Sequence, residues 1–166
     1  GTLGFEQERL RKLTENAPNL LVVNSSDSIV LLEDNHVHDQ QHQHIEGIDL
    51  HTWLSTTSGK QIARNVLRGL CQVDSANAAF YQQRHDSLVQ HIDSLDGEIR
   101  QILRPLVHRT FMIYHPALGY FARDYGLQQI AVEQDGREPS ADRMPQLILQ
   151  AKHNNGQVVF IQEEHA

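Results

Sequence analysis

Histidines and one aspartate are concentrated in a short internal stretch of the sequence. Of the 11 histidines in 166 residues, four fall within nine positions, and the cluster comprises His36, His38, Asp39, His42 and His44. Imidazole and carboxylate groups bind borderline-soft cations such as zinc. Residues 34–46 show no apolar periodicity, which predicts an exposed loop. Because ordering a loop costs backbone entropy, we expect weak metal capture here, with an inert polar loop as the alternative.

The spacing of these histidines differs from that in metal-dependent hydrolases. Asp39 follows His38 directly, one position too early for the H-x-H-x-D-H pattern of metallo-β-lactamases, and the zincin pattern H-E-x-x-H does not occur. The sequence also contains no serine nucleophile elbow and no phosphate-binding loop. We therefore expect a binding protein rather than an enzyme. The alternative from another class, a metal-dependent hydrolase, would need an open coordination position for an activated water.

Two other segments place a histidine among aromatic and acidic residues. One is Gly-Ile-Asp-Leu-His-Thr-Trp-Leu-Ser at 47–55, which contains His51. The other, at 114–127, contains His115 followed by Pro116 and the tripeptide Gly-Tyr-Phe. Histidine is the commonest metal-ligating side chain, and the alternative for His115 is a structural role as the cap of a strand end.

Charge and cysteine content exclude several partners. The formal net charge is -7 with only 14 Lys and Arg, and these form no basic stripe. We therefore expect no binding to nucleic acid or to anionic lipid. Cys71 is the only cysteine, so an internal disulfide is impossible. The chain opens at Gly1 without an apolar signal segment, and we expect any export signal to have been removed or to lie upstream.

Apolar periodicity predicts the elements that position these residues. Steps of three and four residues predict an amphipathic helix over 58–71. A longer helix is predicted over 74–103, where Tyr81, Leu88, Leu95 and Ile102 recur every seven residues and Pro105 follows the end. A coiled-coil dimer is the alternative interpretation of that stripe.

The rest of the chain contains short apolar runs and further helical segments. Strands are predicted at 20–23, 29–32, 110–114, 129–133 and 158–162, and helices at 6–15, within 117–125 and within 140–154. Strands that alternate with helices predict an α/β fold with parallel sheets flanked by helices.

The two histidine segments resemble a known family, the periplasmic substrate-binding proteins of zinc and manganese ABC transporters. Asp49-Leu-His51-Thr-Trp53-Leu is similar to the family's aspartate-proline-histidine-x-tryptophan-leucine motif, with Leu50 in place of the usual proline. His115-Pro-Ala-Leu-Gly-Tyr-Phe is similar to the family's strand-end ligand followed by a Gly-Tyr-Phe helix. The resemblance extends over essentially the whole chain.

This resemblance implies a set of site residues. His51 and His115 correspond to two of the metal ligands, with Asp49, Trp53 and Tyr120 supporting them. Histidine at 115 implies Zn²⁺ rather than Mn²⁺, because manganese members carry glutamate there and neutral imidazole suits zinc better. The family's first histidine ligand is expected before Gly1 and its last acidic ligand after Ala166. The histidine loop at 34–46 is expected to overhang the site.

The resemblance also implies an architecture and a function. Two lobes are joined by one long spine helix: 1–56 is the remainder of the N-terminal lobe, 57–104 the connecting and spine helices, and 105–166 a truncated C-terminal lobe. The expected protein is a monomeric receptor of the periplasm, or of the cell surface if lipid-anchored, which delivers Zn²⁺ to an ABC permease of the inner membrane. A manganese or iron receptor, and an additional role in adhesion, are the alternatives within this class.

Overall fold

The computed structural model describes residues 4–33, 48–133, 139–154, 156 and 158–161. The predicted histidine loop at 34–46 lies outside the described residues, as does the end of the last predicted strand. Five α-helices and three strands are present in the described ranges. In chain order they are α1 (Gly4–Asn16), α2 (Thr56–Val73), α3 (Ala78–Leu103), β1 (Thr110–Ile113), α4 (Gly119–Tyr125), β2 (Gln128–Ala131), α5 (Arg143–His153) and β3 (Val159–Phe160).

The three strands form a parallel sheet in the order β2-β1-β3. Each strand is followed or preceded by a helix, as a parallel sheet requires, because parallel neighbours need a crossover connection. Phe111 and Ile113 of β1 are buried against Ala122 of α4, with Leu118 and Leu127 packed at the edge of this core. The α/β fold predicted from the sequence is therefore confirmed.

The long helix predicted over 74–103 is confirmed as a single turn of 3₁₀-helix at Ser75–Asn77 followed by α3. It packs along α2, where Lys60 pairs with Asp93 at 2.7 Å and Thr56 donates to Asp96 at 2.9 Å. Three of the four residues in the predicted seven-residue stripe are largely exposed, with Leu88 at 48%, Leu95 at 50% and Ile102 at 71%. The fourth, Tyr81, is half-buried. A single chain does not test the coiled-coil alternative.

The strands predicted at 20–23 and 29–32 are wrong. The segment between α1 and residue 33 consists of turns and extended chain, and its pairing within the described residues is one antiparallel bridge between Glu33 and Ile48. Its apolar residues stay partly exposed, with Leu20 at 48%, while Val23 packs over Gly69 of α2. An apolar run becomes a strand only when a neighbour completes its hydrogen-bond ladder, and no described segment does so here.

No helix in the described part of the chain combines the length and the apolar character that crossing a membrane requires.

Candidate metal centre

His51 and His115, 64 positions apart in the sequence, meet in the folded chain. Their Nε2 atoms are 3.2 Å apart, and their rings lie edge to face with centroids 5.0 Å apart. Both rings are half-buried, with side-chain exposures of 24% for His51 and 35% for His115. The two imidazoles line a cleft of about 740 Å³. Two nitrogen donors therefore point at one place that a small ion can reach.

Asp49 holds His51 in a tight turn before α2. Its Oδ1 accepts a hydrogen bond from the backbone N–H of His51 at 2.8 Å and another from His51 Nδ1 at 2.9 Å. An aspartate that binds the backbone two residues later forms an Asx turn, which fixes the local chain direction. An ionised carboxylate can only accept, so a neutral His51 that donates to Asp49 carries its proton on Nδ1 and has its lone pair on Nε2.

His115 and Glu133 follow neighbouring parallel strands at equal distances. Ile113 at the end of β1 pairs with Ala131 at the end of β2, and each residue of interest lies two positions further on. The pairing continues beyond the strands, since Glu133 N–H donates to the Tyr114 carbonyl at 3.0 Å. Glu133 Oε1 lies 3.2 Å from His115 Nδ1. Ligands commonly collect at the carboxyl ends of parallel strands, and these two side chains are placed by that rule.

Tyr120 and Gly119 of α4 connect the two histidine segments. The Tyr120 side chain is fully buried, its hydroxyl donates to the Asp49 carbonyl at 2.6 Å, and it accepts from Leu32 N–H at 3.1 Å. Burial raises the pKa of this phenol, which keeps it a donor at neutral pH. Gly119 leaves room for the Asp49 carboxylate, which a Cβ at this position would strike.

A polar network joins the helices behind the site. Ser55 caps α2 by accepting from Ser58 N–H at 3.0 Å, and its hydroxyl also donates to Asp124 of α4. Thr56 and Tyr125 donate to Asp96 of α3, each at 2.9 Å. Hydrogen bonds from Arg100 hold the pKa of Asp96 down at about 2, assisted by those two hydroxyls and opposed by partial burial. The network fixes the helix that follows His51 against the helix that follows His115.

The chain is similar in sequence and in structure to known proteins. The profile described as "Zinc-uptake complex component A periplasmic" matches residues 1–166. The chain belongs to this family. It is 28% identical over 151 residues to a "High-affinity zinc uptake system protein ZnuA" of Bacillus subtilis, covering 85% of this chain and 46% of that protein. The chain thus spans about half the length of the curated relatives it matches.

Two solved structures of the family are similar over nearly the whole chain. A crystal structure of ZnuA has a TM-score of 0.84 at 37% identity, covering 98% of this chain and 62% of that chain. A zinc-bound ZnuA with residues 138–173 deleted has a TM-score of 0.82 at 36% identity, with coverages of 99% and 60%. Family membership therefore accounts for the fold, and the long α3 helix belongs to it.

Besides the two histidines, three of the site residues predicted from the sequence lie near His51, and five lie outside the described residues. Asp49 and Trp53 both contact His51, the latter with ring centroids 5.4 Å apart, whereas Tyr120 reaches the site through Asp49. The cluster of His36, His38, Asp39, His42 and His44 lies outside the described residues. Within the described residues, no three His, Cys, Asp or Glu side chains are grouped as a ligand set. The roles that the sequence predicts for all of these site residues in binding a metal ion stay predictions.

Glu133 was missed by sequence reasoning. It is the last residue of the strand predicted at 129–133, and the sequence pattern predicts no role for it in the site. Its burial, at 7% exposure, and its contact with His115 both follow from the register between β1 and β2. Glutamate is almost never fully buried unless it is paired, so the burial of Glu133 indicates a partner, but that burial is seen only in the structure.

Proposed function

We propose that this chain is the part of a zinc receptor that supplies two imidazole ligands, His51 and His115, to one Zn²⁺ ion. The receptor would capture the ion outside the cytoplasm, in the periplasm, and deliver it to an ABC permease in the inner membrane. Support comes from the zinc-uptake family to which the chain belongs and from the zinc bound in a similar ZnuA structure. In this proposal zinc is the cargo, and the receptor works as a monomer without catalysis.

The observation that carries the proposal is the separation of the two Nε2 atoms. Zinc–nitrogen bonds of about 2.0–2.1 Å in a tetrahedral arrangement place neighbouring donor nitrogens about 3.3 Å apart. The nitrogens of His51 and His115 are 3.2 Å apart. Little side-chain movement is needed to bind zinc, so little conformational entropy is lost on binding.

The charge around the two rings also favours a divalent cation. Each Nδ1 faces a carboxylate, Asp49 for His51 and Glu133 for His115. The two Nε2 atoms are also within hydrogen-bond distance of each other, and with both Nδ1 atoms protonated neither Nε2 carries a proton, so both lone pairs are available to a cation. Carboxylate–histidine–zinc arrangements of this kind orient the ring and make it a more basic ligand.

Imidazole donors distinguish zinc from manganese. Mn²⁺ prefers carboxylate, carbonyl and water oxygen, whereas imidazole suits zinc, and Zn²⁺ lies above Mn²⁺ in the general order of affinities. We therefore propose zinc as the cargo rather than manganese or iron. Additional ligands from outside the described residues would complete the coordination.

Zinc titration of the metal-free protein tests the proposal. Trp53 is the only tryptophan and lies beside His51, so its fluorescence should report on binding. We expect zinc to bind more tightly than Mn²⁺, and His51→Ala or His115→Ala to weaken zinc binding at least tenfold. His91→Ala, which removes an exposed imidazole from α3, is the matched control and should behave like the parent protein. Equal zinc affinity in all four proteins would refute the proposal.

A further inference from the structure

Each candidate ligand has its own carboxylate partner, but the two partners are attached to the fold in different ways. Asp49 lies in the same turn as His51 and also binds that turn's backbone. Glu133 follows the neighbouring strand β2, and its backbone N–H donates to the carbonyl of Tyr114, which follows β1. The Glu133 side chain is 9% exposed, while the His115 ring it contacts is 35% exposed. The more accessible histidine therefore has a partner that lies just beyond the end of β2.

We propose that Glu133 is a positioning residue that keeps the proton of His115 on Nδ1 and so leaves Nε2 free to bind metal. This inference rests on the proposed function. The contact is to Nδ1, on the far side of the ring from the Nε2 that faces His51, so Glu133 is placed to orient the ligand and not to bind the ion itself. A ligating histidine is commonly held this way by a carboxylate, which fixes both the tautomer and the ring plane.

The alternative arrangement makes the inference testable. In the alternative tautomer, His115 carries its proton on Nε2, directed at His51. In that case Nε2 would be blocked by a proton that the metal must first displace. The two arrangements have the same heavy-atom geometry but opposite tautomers, so the position of one proton decides between them.

The tautomer can be read from ¹⁵N chemical shifts of the imidazole in the metal-free protein. The experiment uses the His51→Ala background at pH 8, so that Glu133 is the only described polar partner of the His115 ring. We expect the Nδ1–H form with Glu133, the same form in Glu133→Gln, whose amide oxygen still accepts, and a shift toward Nε2–H in Glu133→Ala. The variant Glu98→Ala, on the exposed face of α3, is the matched control and should leave the His115 tautomer unchanged.

Zinc affinity measured with His51 intact gives the functional result. Removing such a partner lowers metal affinity by roughly 10- to 100-fold, so we expect a loss of this size in Glu133→Ala and a smaller one in Glu133→Gln. If Glu133→Ala unfolds, the tautomer of the His51→Ala protein with Glu133 intact still decides the inference, because an Nε2–H form there would overturn it.

An Nε2–H tautomer in the presence of Glu133, or the same tautomer in all variants, would overturn the inference and leave the proposed function standing. Failure of the parent protein to bind zinc would instead overturn the proposed function, and with it the role of Glu133 in metal binding.

Discussion

At the scale of single residues, the position of His51 depends on the contacts that hold Asp49 in place. Asp49 is held on three sides: by its own bonds to His51, by Tyr120 through its carbonyl, and by Gly119, which gives its carboxylate room. The Gly-Tyr pair of α4 therefore acts on His51, although it follows His115 in the sequence. Each histidine segment contributes to the position of the other.

Replacing Gly119 with alanine should weaken zinc binding. The new Cβ would collide with Asp49, and displacing that carboxylate removes the partner that orients His51. We expect zinc affinity to fall by about tenfold or more, as for other losses of a partner to a ligating histidine. Gly97→Ala is the matched control, since no atom lies within 4 Å of a Cβ there, and it should bind zinc like the parent. Fluorescence titration of both variants is the measurement, and equal affinities would contradict this role of Gly119.

Residue types were predictable from the sequence, but their pairing was not. The motifs around His51 and His115 identified both segments, because ligand type and flanking glycine and aromatic residues are local features. Glu133 was missed since its contact depends on the register of two strands, with Ile113 opposite Ala131, and register is not encoded in either strand alone. The same limit applies to Ser55 and Asp124, which meet only after the helices dock.

At the scale of elements, helix ends position the site. α2 begins at Thr56, four residues after Thr52, which is buried in the turn that contains His51, and α4 begins four residues after His115. Ser55 connects the two by capping α2 and binding Asp124. The separation of the two imidazoles is therefore set by how α2 and α4 are fixed to each other.

Ser55→Ala should destabilise the fold. Loss of an N-cap serine costs about 1 kcal/mol, and the buried Asp124 carboxylate also loses a donor, so we expect a fall of about 1–2 kcal/mol in the free energy of unfolding. Ser94→Ala, on an exposed position of α3, should change it by less than about 0.5 kcal/mol. Urea unfolding monitored by circular dichroism compares the two. A loss of unfolding free energy in Ser55→Ala no larger than that in Ser94→Ala would contradict the role of Ser55 as a cap.

The contribution of Asp96 to stability should depend on pH. Its folded-state pKa, about 2, is lower than the reference value of about 3.9 for an unfolded aspartate. Stability from this group is therefore fully present above about pH 4 and is lost as the pH falls toward 2. The difference in unfolding free energy between the parent and Asp96→Asn should shrink over that window. A difference that stays constant from pH 7 to pH 2 would contradict the bonds assigned to Asp96.

Element types were predicted well where the periodicity was long and poorly where it was short. The helices at 56–73 and 78–103 and the three strands of the parallel sheet lie close to their predicted positions, because amphipathic stripes and buried apolar runs are strong signals. Pro145 falls in the first turn of α5, where a missing N–H is tolerated. The apolar runs at 20–23 and 29–32 are as short as β1 and β2, but no described segment pairs with them in a ladder, so they are not strands.

At the scale of the whole molecule, zinc would join distant parts of one chain. The two histidines are separated in the sequence by the entire α2 and α3 helices, so an ion bound to both closes a long loop in the folded state. The predicted division into 1–56, 57–104 and 105–166 stays a prediction. The two proposed ligands, His51 and His115, belong to the first and last of these segments.

Zinc should stabilise the folded chain through this link. At a free zinc concentration 100 times the dissociation constant, binding to the native state alone adds about 2.7 kcal/mol. We expect a clear rise in the midpoint of thermal unfolding with zinc, a much smaller rise in His51→Ala, and a normal rise in His91→Ala. A chelator should reverse the effect. Equal stabilisation of all three proteins would place the bound zinc elsewhere in the chain.

The most direct test of the shared site is the anomalous X-ray signal at the zinc absorption edge from zinc-soaked crystals of this protein. We expect a peak between the rings, about 2.0–2.1 Å from Nε2 of both His51 and His115. A zinc peak bonded to only one of them, or found only among the histidines of residues 34–46, would contradict a site shared by the two imidazoles.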